Sequence, residues 1–197
     1  MPDGLTATPP PTVASRPGFH GKLPSRGDFV GARLSAAFVD AVHAWLDAGL
    51  SFARARLGDD WERCWLVAPV WRFALPPGLL GPSACAGLWL PSVDRAGRFF
   101  PLILAVEGID DLSGSILDRM EQLGREALAS DDGPDHLSAR LAALPVPSAV
   151  PGPPRAAAHW STDGGPFRPP GAFEATSLPT GATFAAMIGD PAAPSGR

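Results

Sequence analysis

The chain has 197 residues, 45% of them hydrophobic, which suits one sizeable core at roughly 150 residues per domain. Its net charge of −4 lacks the basic face or stripe that nucleic acid requires, so DNA or RNA binding is not expected. The apolar run 99–106 falls far short of the roughly 20 residues that span a bilayer, so membrane insertion is not expected either.

The 24 prolines and 22 glycines gather before residue 19, around 76–82 and from 145 onward. Residues 1–17 (MPDGLTATPPPTVASRP) cannot bury enough apolar surface to offset their ordering entropy and read as a disordered Pro-rich tail. They also lack the basic and apolar regions of a secretory signal, which predicts a cytoplasmic protein. Residues 18–190 read as a single α/β domain and 191–197 as a flexible C-terminal tail. Cys64 and Cys85 sit in apolar surroundings without CxxC spacing and are expected as small buried hydrophobes.

In chain order, 18–30 (GFHGKLPSRGDFV) predicts a short strand broken at Pro24 and followed by a turn, with Leu23, Phe29 and Val30 packing on the core. From Ser35, a natural N-cap, Phe38, Val42, Trp45, Leu46, Gly49, Ala53 and Leu57 recur at helical steps as far as Gly58. Asp59 or Asp60 can cap a short helix, WERCWLVA, that stops before Pro69. Residues 70–76 then read as a strand with Trp71 and Phe73 on one face and Arg72 and Ala74 on the other.

Two further strands follow, 85–90 and 99–107, joined by SVDRAGR. The second is apolar almost throughout, which predicts a central strand covered on both faces. Helices are expected over 112–128, entered through Ser113, and over 134–144; then come a brief strand at 156–161 and a small helix at 180–188. The fold class is therefore an α/β three-layer sandwich, with a mixed, mostly antiparallel central sheet and helices on both faces. Five tryptophans fall at core positions, and Trp160 is expected to be partly exposed.

Little in these residues points to catalysis. GKLPSRG is not a phosphate-cradling loop, because Lys22 is followed by Leu23-Pro24 rather than by Ser or Thr leading a helix. The four histidines lie on separate segments without metal-ligand spacing, and no GxSxG elbow marks a nucleophile. No catalytic, metal or cofactor residue is assigned. In SVDRAGR, Asp94 can hold backbone amides in an Asx turn while Gly97 takes positive φ and Arg95 and Arg98 project. Arg72, inside an apolar strand, needs a carboxylate, for which Asp28 and Asp94 are the natural candidates. The candidate site is thus a polar cluster of Lys22, Arg26, Asp28, Arg72, Ser92, Asp94, Arg95 and Arg98, either binding a partner or fixing the loops.

The blocks GKLPSRGDFV (21–30), APVWRFAL (68–75) and LPSVDRAGRFFPL (90–102), with the helix 35–57 between the first two, resemble the TagF (ImpM) family over residues 18–107. HWSTDGG (159–165) and SLPTGATFAAMI (177–188) resemble its closing segment. The resemblance implies a non-enzymatic posttranslational regulator of type VI secretion that represses assembly through a forkhead-associated scaffold protein. The family's PP2C-type phosphatase, sometimes fused, would here be a separate chain. The alternatives are a structural or assembly accessory of the secretion apparatus, and a module binding a small anion through Lys22, Arg26 and Arg98.

Overall fold

A computed structural model describes residues 16–147 and 155–192. Most of the N-terminal tail, the Pro-rich stretch around 150 and the last five residues lie outside the described residues, so the expectations for both tails are left there.

The first helix, α1 (Ala36–Leu57), forms where the three-and-four spacing demands it, and buries Phe38, Val42, Trp45, Leu46, Gly49 and Ala53. Ser35 caps it by accepting a hydrogen bond from the Phe38 amide at 3.2 Å. The Ser35 amide and hydroxyl in turn donate to the Glu107 carboxylate, each at 2.7 Å. Gly58, at φ +53°, ends the helix in a conformation that glycine reaches without a steric cost. A 3₁₀ turn, Gly58–Asp60, then runs straight into α2 (Trp61–Leu66). Because Asp60 is itself helical in φ and ψ, its side chain does not make the expected cap.

Among the described residues the strands are β1 (Gly18–Gly21), β2 (Val30–Ala32), β3 (Trp71–Leu75), β4 (Cys85–Leu90), β5 (Leu102–Glu107), β6 (Ala158–Thr162) and β7 (Gly171–Ala175). They form one sheet in the order β2-β1-β5-β4-β3-β6-β7. Every neighbouring pair is antiparallel, so the sheet is not mixed. β2 and β7 were not anticipated, being short edge strands rich in small residues.

Side-chain alternation divides the core between the two faces. Trp71, Phe73, Trp89, Ile103 and Trp160 pack beneath α1, α2 and α5 (Gly181–Ile188). Phe19, Leu88, Leu90, Leu104 and Val106 face α3 (Gly114–Ala129) and α4 (Pro134–Ala142). β4 is buried along its whole length, as is β5 apart from Glu107, which is what covering on both faces requires. Trp160 is fully buried rather than partly exposed, because β7 extends the sheet beyond β6 and Phe173 stacks on its ring.

Indole groups also tie chain segments to this core. Trp45 donates to the Pro179 carbonyl at 2.7 Å and Trp71 to the Met187 carbonyl at 2.9 Å, so both ends of α5 are anchored. At Gly49 the two helices meet so closely that an added Cβ would lie 2.8 Å from the Phe184 ring. Gly49→Ala should therefore cost about 1–3 kcal/mol through overpacking, read as a lower urea midpoint with unchanged slope. An unaltered midpoint would contradict the α1–α5 contact.

Candidate functional site

Asp94 organises the loop between β4 and β5. Its Oδ1 accepts from the Ala96 and Arg98 amides, each at 2.9 Å, while its backbone closes the turn with Gly97 and Arg98. Gly97 sits at φ +78°, as that turn requires. Asp94 Oδ2 meets Lys22 Nζ at 2.5 Å and Arg98 Nε at 2.7 Å. The Lys22 and Asp94 side chains are only 5% and 0% exposed, so this is a buried ion pair.

The same contacts join two of the sequence blocks. Ser92 Oγ donates to the Lys22 carbonyl at 2.7 Å, the Arg95 amide to the Arg26 carbonyl at 3.1 Å, and Arg98 Nη2 to the Gly27 carbonyl. Trp65 in α2 donates its indole N–H to the Ser92 carbonyl at 3.0 Å, which pins the loop to the core. Gly21 is required beneath this junction, since a Cβ there would lie 2.1 Å from the Pro101 carbonyl oxygen. Burial by itself would raise the Asp94 pKa. The hydrogen bonds from Lys22, Arg98 and the Ala96 amide outweigh it and hold the carboxyl well below the usual carboxylate range.

Lys22, Ser92 and Asp94 are thus interior and structural, whereas Arg26, Asp28, Arg95 and Arg98 are exposed around them. Arg72 does not join them. It pairs across the other face of the sheet with Asp118 at 2.8 Å and Glu121 at 3.0 Å, both on α3, instead of with Asp28 or Asp94. The reason is alternation: Arg72 points to the α3 side, opposite Trp71 and Phe73.

A second cluster lies beside the first and was missed. His20 and His43 bring their Nε2 atoms within 2.8 Å, and both rings pack with Phe29. Lys22 Nζ lies 4.5 Å above the Phe29 ring, joining the two clusters. Phe29, expected in the core, is 43% exposed and forms the lid of this group. The only signal in the sequence was strand alternation, which turns His20 away from Phe19 and toward α1. Burial, and then the neighbouring His43, lower the His20 pKa to about 4.

Among the described residues, no three or more His, Cys, Asp or Glu side chains converge to hold a metal ion, and no helix is long and apolar enough to cross a membrane. Both cysteines are buried, and burial with Glu107 nearby pushes the Cys85 thiol up to about 12. A cavity of about 580 Å³ opens between α1 and the 91–98 loop, where Arg54 lies over the Trp61 and Phe99 rings.

Two outcomes test these clusters. Asp94→Asn keeps an acceptor for the turn amides but strands the buried Lys22 charge, and should cost about 3–5 kcal/mol in equilibrium denaturation. For His20, the unfolded chain takes up a proton near 6.5 and the folded one only near 4, so acidification through that window favours unfolding. Stability should therefore fall from pH 6.5 to 4 in the wild type and fall less in His20→Leu, with the Asp94 contribution lost only below its ordinary 3.8.

Comparison with known proteins agrees with this architecture. Residues 18–144 match the family model described as TagF N-terminal domain, type VI secretion system-associated. The crystal structure of PA0076 from Pseudomonas aeruginosa PAO1 superposes with a TM-score of 0.78 at 30% identity, covering 88% of this chain and 94% of that one. No curated protein matches.

Proposed function

This chain belongs to the TagF family of type VI secretion-associated proteins, and from that membership we propose that it is a cytoplasmic, non-enzymatic repressor that acts by binding a forkhead-associated scaffold protein. A PP2C-type phosphatase would work in the same pathway. The observation that carries this reading is the division of labour in the loop cluster. Lys22 and Asp94 neutralise one another inside the protein, while Arg26 and Arg95, locked together through their backbones, stand outside as cations without an acidic partner among the described residues. Two exposed guanidinium groups carried on a fixed backbone suit recognition of another protein. The small-anion alternative loses its strongest donor, since Lys22 is spent on Asp94, and Arg98 is already engaged by Asp94 and Gly27.

Deleting the gene should raise secretion of the tube protein, and the purified wild-type chain should retain the scaffold in a pull-down. Arg26→Glu combined with Arg95→Glu alters only exposed side chains. It should lower retention by about tenfold or more and fail to restore repression. Unchanged secretion in the deletion strain, together with no retention by wild type, would overturn the reading.

A further inference from the structure

Two depressions run into one another at the end of the sheet where β3 begins and β4 ends. They measure about 490 and 330 Å³ and share Leu66, Pro91 and Leu128. Their walls are unusually stiff: Pro24, Pro69, Pro91 and Pro166 line them, each with φ fixed and no backbone N–H to satisfy. At the rim, the end of α2 leaves Leu66 57% and the adjoining Val67 38% exposed. Large apolar side chains displayed at the mouth of a preformed apolar groove mark an interaction site.

The charges around it select the occupant. The lining carries only Arg125 and Asp94, and Asp94 is buried and bound by two cations. Arg125 gives Nε and Nη2 to Glu121, leaving Nη1 unengaged among the described residues. Directly beyond Pro24 and Asp94 lies the loop cluster, where Lys22 and Arg98 are bound by Asp94 while Arg26 and Arg95 stand exposed without an acidic partner among the described residues. The groove also adjoins all three sequence blocks, meeting the first at Pro24, the second at Ala68–Val70 and the third at Leu90–Asp94.

We propose that this groove docks an acidic, apolar-anchored segment of a partner protein, whose large side chains enter between Leu66, Pro91 and Leu128 while its carboxylates meet Arg95 and Arg125. The identity of that partner as the scaffold rests on the function proposed above; the groove and the chemistry it selects do not.

The test uses the full chain and two probes. The first is a fluorescein-labelled peptide of glutamate and leucine, set against its lysine-and-leucine counterpart and followed by polarisation; the second is the scaffold protein in a pull-down. Wild type should bind the acidic peptide at least about tenfold tighter than the basic one and lose that preference as salt rises. Leu66→Asp, and separately Val67→Asp, should reduce binding of both peptide and scaffold by about tenfold or more with an unchanged melting temperature. Equal binding of the acidic peptide by wild type and both variants overturns the groove, as does equal binding of the two peptides. If the scaffold is retained equally by wild type and both variants, the groove is not its site, and the identification of the scaffold as the occupant is overturned while the proposed function stands. If the variants lose the peptide but wild type never retains the scaffold, the groove stands and the scaffold is overturned as its occupant. A concentration-dependent dimer that Leu66→Asp dissolves would show a second copy covering the groove, and would also overturn the proposal.

Discussion

The arrangement of the candidate site depends on one buried ion pair, Lys22–Asp94. Removing an ammonium and a carboxylate from water is expensive, and attraction between them offsets it only when the remaining hydrogen-bonding capacity is filled. Here it is filled on the Asp94 side by two turn amides and by Arg98. The consequence is geometric rather than a large gain in stability. Two loops 72 residues apart at the Lys22–Asp94 pair become one rigid body, further pinned by the Trp65 indole through Ser92. Loops that are flexible must be ordered when anything binds them; these are ordered beforehand, with Arg26 and Arg95 on backbones already in place.

Much of the fold is legible from local pattern. α1 declares itself because a cap, a helical apolar period and a terminating glycine agree over twenty-two residues. β5 does so because an apolar run without alternation has few solutions other than a strand covered on both sides. The Asx turn at Asp94 and the positive φ of Gly97 were readable for the same reason, since both are decided within five residues.

What was not legible depends on partners distant in sequence. β2 and β7 have three and five residues of small or mixed character and become strands only because a neighbour offers its edge. Trp160 could be placed at the surface only while β7 was unknown. Arg72 illustrates the limit most clearly: its need for a carboxylate follows from the strand pattern, but the choice among acids is made by the docking of α3, which brings Asp118 and Glu121 to it. The His20–His43 contact likewise joins a strand and a helix whose phases are each readable, while their relative placement is not.

The position of β1 has a bearing on how the chain is made. It lies between β2 and β5, so the nascent polypeptide can form a β1–β2 hairpin early but finds no neighbour for the other edge until residues 102–107 emerge. Lys22 waits nearly as long for Asp94. During that interval the first half of the protein carries an uncovered strand edge and the apolar stripe of α1 together, the combination that invites mispairing in crowded surroundings. The Lys22–Asp94 junction, and with it the joined loops, closes only once about half of the chain has been made.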